Sequence, residues 1–144
     1  MKQKIKKILV PLDGSKNSFR GLSEAIYLAR QCNATITGLC VIPLYAMNLG
    51  YPGRILTPLR NETTRQAKKF MAEAKKIAAQ NGIVFNEKIL YGNGSWEITE
   101  FASSKKFDLI VIGSRGLGAL KEAFLGSVAN TVVHKSKIPV LVVK

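Results

Sequence analysis

Residues 107–128, FDLIVIGSRGLGALKEAFLGSV, constrain the fold more than any other stretch of this 144-residue chain. Leu109, Ile110, Val111 and Ile112 are consecutive and apolar. So short a run, rich in β-branching, reads as a strand buried on both faces. Gly113 ends it, Gly116 follows after two residues, and Gly126 and Ser127 follow after nine more. A helix-like segment, Val128 to Lys135, comes next. A strand that opens through a glycine-punctuated loop into a helix start is how α/β proteins cradle phosphate. Glycine lets the backbone come close to the anion, and the unpaired amides of the helix N-terminus point at it.

Two common nucleotide fingerprints are excluded. A P-loop needs Lys-Ser or Lys-Thr after its second glycine, and residues 113–121 do not supply it. The dinucleotide pattern fails because Gly116-Leu117-Gly118 is followed by Lys121 where a third glycine should stand. The spacing Gly113-x2-Gly116-x9-Gly126-Ser127 instead resembles the ATP-binding signature of the universal stress protein family. The surrounding GSRGLGALKEAFLGSVA is similar to that family almost residue for residue. The start of the chain is similar too: Val10, Pro11, Asp13, Gly14 and Ser15 match the family's V-P-x-D-G-S.

Taken in order, Lys4–Leu12 reads as a first strand, ended by Pro11, which lacks a backbone donor. Asp13-Gly14-Ser15 turns the chain, and Ser15 or Ser18 caps a helix whose Phe19, Leu22, Ile26 and Ala29 share one face. Ala34–Ile42 reads as the second strand, which completes a βαβ unit. Pro43–Pro58 holds three prolines and little periodicity, and reads as a long loop made fairly apolar by Tyr45, Met47, Leu49 and Tyr51. A helix over residues 59–81 follows, stopped by Asn81-Gly82. Ile83–Leu90 is a more polar strand, which suits a sheet edge. Ser95–Lys105 reads as a short helix with Ile98, Phe101 and Ala102 inward and Trp96 packed. Ile138–Val143 is the last strand.

Alternating strands and helices imply one α/β domain over residues 1–144, an open parallel sheet with helices on both faces. Periodicity does not give the strand order. The resemblance implies 3-2-1-4-5, a Rossmann-like sheet of the adenine nucleotide alpha hydrolase-like kind. That order sets strands one and four side by side at a switch point, where open α/β sheets bind ligands.

The resemblance then implies a set of nucleotide-binding residues. Pro11, Leu12, Asp13 and Ser15 close the first strand, and Ile112, Gly113, Arg115 and Gly116 close the fourth. Val41 would offer main-chain hydrogen bonds to adenine, while Gly126, Ser127 and Val128 supply the helix N-terminus. Asp13 would accept from a ribose hydroxyl or hold a phosphate-bound magnesium through water. Lys121 is read as facing solvent. The ligand is ATP, ADP or AMP, and the implied function is a nucleotide-dependent regulator or sensor of the stress response. Slow ATP hydrolysis in the same pocket is the enzymatic alternative. No catalytic constellation accompanies it, because His134 lies away from the switch point and Asp13 is the one acid expected there.

Composition bounds the rest. No apolar run approaches the ~20 residues of a membrane span. The basic start MKQKIKKILV has too short an apolar run for a signal peptide, so a cytoplasmic protein is expected. Cys32 and Cys40 have no metal or redox spacing and read as small, partly buried thiols. The net charge of +13 stands out, with Lys2, Lys4, Lys6 and Lys7 at the start and the pairs Lys68–Lys69, Lys75–Lys76 and Lys105–Lys106 beyond. A solvated surface is its first reading, and attraction to nucleic acid or another polyanion the second. Ile138, Pro139, Val140, Leu141, Val142 and Val143 form an apolar edge that invites pairing with a second copy. Family dimers of that kind imply a homodimer.

Overall fold

A computed structural model describes residues 4–43, 53–116 and 125–144, without the side chains of residues 53–60. Five strands, β1 (Lys7–Pro11), β2 (Thr35–Pro43), β3 (Phe85–Gly92), β4 (Leu109–Gly113) and β5 (Val140–Val143), alternate with four helices. These are α1 (Lys16–Cys32), α2 (Gly53–Gln80), α3 (Gly94–Ser104) and α4 (Ser127–Lys135). Every strand pair is parallel, and the order across the sheet is β3-β2-β1-β4-β5. This is the order that the resemblance implies, and the polar strand β3 lies at an edge as its composition suggests.

Side chains alternate across each strand and divide the core into two layers. Ile8 and Val10 of β1 and Leu109 and Val111 of β4 pack with Leu22, Ala25 and Ala29 of α1 and Met71, Ala74 and Ala78 of α2. Leu9, Ile110 and Ile112 point the other way, onto Ile98 and Ala102 of α3 and Ala129 and Val132 of α4. Ile110 and Val111 are both 0% exposed, so β4 is buried on both faces as its uninterrupted apolar run requires.

Three helices stop in the same way. Asn33, Gly82 and Lys106 each adopt a left-handed conformation, with φ of 58°, 71° and 56°. The next amide in each case reaches back into the helix: Ala34 to the Ala29 carbonyl, Ile83 to Ala78 and Phe107 to Ala102, all at 2.9 Å. Ala34, Ile83 and Phe107 are buried, so the stop also aims the chain into the next strand.

Two expectations are corrected. Residues 53–58 belong to α2 and not to a loop, while the rest of the expected loop, 44–52 with Tyr45, Met47, Leu49 and Tyr51, lies outside the described residues. Pro58 is the sixth residue of α2, past the first turn where proline is tolerated best, so the helix runs through a proline that the sequence reading took as the boundary. Trp96 does not pack: it is 59% exposed. The buried stripe of α3 runs through Ile98 and Ala102, and a residue two positions from that stripe sits about 200° around the helix, toward solvent.

Candidate functional site

Between β1 and β4 the strand order reverses, and the chain leaves their two ends toward opposite faces. After β1 it enters α1, which packs on one layer; after β4 it goes on to α4, which packs on the other. A reversal of this kind is where open α/β sheets form their ligand crevice. The structure brings Pro11, Leu12, Asp13, Ser15, Ile112, Gly113, Arg115 and Gly116 to this end of the sheet, with Gly126, Ser127 and Val128 beside them.

On the β1 side, Leu12 is a core residue, 3% exposed, and its amide donates to Leu39 O at 2.8 Å. Asp13 follows, and its Oδ1 accepts the Ser15 amide at 2.9 Å, holding the tight turn. Gly14 in that turn has φ of +85°, and Phe70 of α2 packs so closely that a Cβ there would lie 2.9 Å from its ring. Ser15 is the N-cap of α1, accepting from the Ser18 amide at 3.1 Å. The expected alternative cap, Ser18, is buried and donates its hydroxyl back to Ser15 O.

On the β4 side the glycines have separate tasks. A Cβ on Gly116 would lie 2.7 Å from Asp13 Oδ2, so the two strand ends meet at a carboxylate and a bare backbone. The Gly126 amide donates to Ser114 O at 2.7 Å, and a Cβ on Gly126 would crowd Ser114 O and the Arg115 Cα. The two halves of the glycine motif thus lie against each other although residues 117–124, including Lys121, fall outside the described residues. Gly113 is different: its missing side chain is replaced by Asn17, whose Oδ1 would be 2.6 Å from a Cβ there. This glycine lets α1 pack closely on β4.

Ser127 lies at the start of α4, as the sequence reading has it. Gly126 occupies the N-cap of α4 and Ser127 is the first helical residue, so its hydroxyl makes no capping bond. α1 and α3 are capped by the side chains of Ser15 and Asn93, whereas α4 has neither a side-chain cap nor an acidic residue in its first turn. Its leading amides have no side-chain cap, Ser127 and Val128 are exposed, and the Val128 side chain lies beside Gly94 at the start of α3.

Val41 is placed by the pleat. Thr35 donates to Lys6 O and Leu39 accepts from Leu12, so the odd residues of β2 turn their peptide groups toward β1. Val41 continues that series, but the β1 register ends at Pro11 opposite Leu39. The Val41 N–H and C=O therefore face the crevice above β1, while its side chain is partly buried against the α3–α4 layer.

Asn17 is absent from the sequence reading. Its Oδ1 accepts the Arg115 amide at 2.7 Å and its Nδ2 donates to Val143 O at 3.4 Å. It ties the glycine loop, α1 and the end of β5 together. The available signal was a polar residue and a small one, Asn17 and Gly21, four apart on one face of α1, both meeting Gly113. Cys40, buried beside Asp13, has its thiol pushed up to about 11 by desolvation and then by the carboxylate, which leaves it a packing residue. His134 is exposed near the far end of α4, away from the crevice.

The comparisons agree with this architecture. The universal stress protein family model matches residues 4–144. Universal stress protein YxiE of Bacillus subtilis (strain 168) is 35% identical over 147 residues, covering 96% of this chain and 98% of its own. The solved universal stress protein UspA from Lactobacillus plantarum superposes with a TM-score of 0.89 at 25% identity, covering 99% of this chain and all of the other. Two further solved relatives carry nucleotides: one from Archaeoglobus fulgidus in complex with dAMP (26% identity, TM-score 0.76, 99% and 100% coverage) and a universal stress protein in complex with cAMP (25%, 0.74, 98% of each chain). The observed strand order and the glycine motif thus converge with the sequence match: the chain belongs to the universal stress protein family.

Proposed function

We propose that this protein binds ATP, or another adenine nucleotide, in the crevice between β1 and β4 and acts as a nucleotide-dependent regulator of a stress response. The observation that carries this reading is the pair of backbone features at the switch point. Val41 turns its peptide edge toward the space above β1, and Gly116 brings bare backbone against Asp13. The first suits the donor and acceptor edge of adenine. The second, with the uncapped start of α4 and Arg115 nearby, suits a phosphate chain. Relatives solved with dAMP and cAMP support an adenine ligand.

Among the described residues, Asp13 is the one carboxylate at these strand ends, and no group of three potential metal-ligating side chains occurs. A magnesium ion would therefore rest on phosphate oxygens, with Asp13 reaching it through water. The residues fit that arrangement and no direct protein cage.

The test is mass spectrometry of the small molecules released when the purified protein is denatured, followed by titration with ATP. About one adenine nucleotide per chain, or stoichiometric uptake on titration, is the expected outcome. Neither recovery nor uptake would sink the reading.

A homodimer through β5 belongs to the same proposal. Pro139 O and Val143 O accept from the β4 side, so the peptide groups of Val140 and Val142 turn outward along the open edge. Leu141 is 38% exposed there. Pairing of two such edges about a two-fold axis would satisfy both. The substitution Val142→Pro removes an outward amide that the protomer's own sheet does not use, and it is expected to convert dimer to monomer in light scattering. A monomeric parent protein at micromolar concentration would contradict the dimer.

A further inference from the structure

The segments that lead into the strands of a parallel sheet all lie at the end opposite the crevice. Three of them carry lysines in pairs. Lys4 and Lys6 precede β1, Lys105 and Lys106 precede β4, and Lys135 and Lys137 accompany the lead into β5. All six are exposed. Because β1, β4 and β5 are consecutive in the sheet, the pairs stand on neighbouring strands, about 4.8 Å apart from one to the next. The leads into β2 and β3, residues 33–34 and 81–84, hold no charged side chain. The cations are gathered on one half of this end and are not spread evenly as a solvating coat.

Little offsets them. Lys7, also exposed, is held at this surface, donating to Lys105 O and lying 4.7 Å over the Phe107 ring. Asp108 is the one acid in these three segments, and its Oδ2 accepts the amides of Lys6 and Lys7 at 2.8 and 2.9 Å. The carbonyl ends of α3 and α4 each add about half a negative charge. Six ammonium groups against these leave roughly four positive charges on a strip two strand spacings wide.

The strip lacks what a lipid surface would use. Phe107 is buried, and Ile5 and Ile138 pack onto the core, so no large apolar side chain stands out of these three segments to enter a bilayer. Cations without an apolar anchor or an aromatic stacking platform match a phosphate backbone and no base. We propose that the six-lysine strip at the ends of β1, β4 and β5 is a sequence-independent docking surface for a nucleic acid duplex. It lies at the opposite end of the sheet from the nucleotide crevice and does not depend on what that crevice binds.

The test is fluorescence anisotropy with a labelled mixed-sequence DNA duplex across a series of salt concentrations. With four to six phosphate contacts, the logarithm of affinity is expected to fall against the logarithm of salt with a slope of about −4 to −5. The triple variant Lys6→Glu, Lys106→Glu and Lys137→Glu should weaken binding at least about tenfold at low salt and flatten the slope by about 2.7. The control Lys68→Glu, Lys69→Glu and Lys75→Glu changes net charge equally on the exposed face of α2 and should keep most of the parent slope. Thermal melting checks both folds, and a Lys→Gln version of the first triple replaces it if the charge reversal unfolds the chain. Equal losses in the two triples would reduce the effect to net charge and overturn the proposal. So would binding to phosphatidylserine vesicles with none to the duplex, or no duplex binding at all.

Discussion

Gly116→Val is expected to abolish ATP uptake while leaving the protein folded. A Cβ at residue 116 would stand 2.7 Å from Asp13 Oδ2, and valine adds two methyl groups beyond it. The Asp13 carboxylate is all that this Cβ would meet within 4 Å, and the residue is exposed, so no core contact is lost. The strain falls on the Asp13 side chain and the loop backbone, the two walls proposed for the phosphate chain. Surface substitutions of this kind change stability by about 0.5 kcal/mol or less, which moves the melting temperature by about 2 °C in a chain of this size. Calorimetric titration should show ATP affinity reduced by about a hundredfold or more, a loss of ~2.7 kcal/mol. Undiminished binding would place the nucleotide elsewhere.

Much of the fold was legible, for identifiable reasons. The Leu109–Ile112 run announced a strand buried on both faces, and it lies inside the sheet. The polar character of Ile83–Leu90 announced an edge, because an edge strand is covered less, and β3 lies there. Strand order was not legible from periodicity, since no local pattern states which strand lies beside which; the family resemblance supplied it. The start of α2 was missed because Pro58 reads as a helix breaker, yet the helix runs through it. Trp96 was misjudged on residue type alone, where its two-residue offset from Ile98 already put it off the buried stripe. At the switch point, the sequence marked the glycines but not what stands beside each one. What separates Gly113 from Gly116 is the neighbour that fills the space of the absent side chain, Asn17 for one and Asp13 for the other, and both contacts come from distant parts of the chain. The lysine pairs show the same limitation. They are scattered in the sequence and become one strip only when β1, β4 and β5 are set side by side.

Gly113→Ala, a far smaller change than Gly116→Val, is expected to cost stability that the larger one does not. Its Cβ would lie 2.6 Å from Asn17 Oδ1, 2.8 Å from the Asn17 carbonyl oxygen and 3.0 Å from its carbonyl carbon. Two of these three are main-chain atoms in the first turn of α1, which is fixed below by the Ser15 cap and along its length by Leu22, Ala25 and Ala29 in the core. The side chain of Asn17 can rotate away, but the helix backbone can yield only by moving α1 off β4. Overpacking of this type costs about 1–3 kcal/mol, which corresponds to a melting temperature lower by roughly 3–10 °C. Adding Asn17→Ala should fail to restore it, because the carbonyl clash remains and the Arg115 amide loses its acceptor. Nucleotide affinity should fall in both variants, since the loop that carries Arg115 and Gly116 hangs from that hydrogen bond. A Gly113→Ala protein that melts with the parent would mean that α1 can retreat from β4 at no cost, and the first glycine of the motif would then belong to the ligand after all.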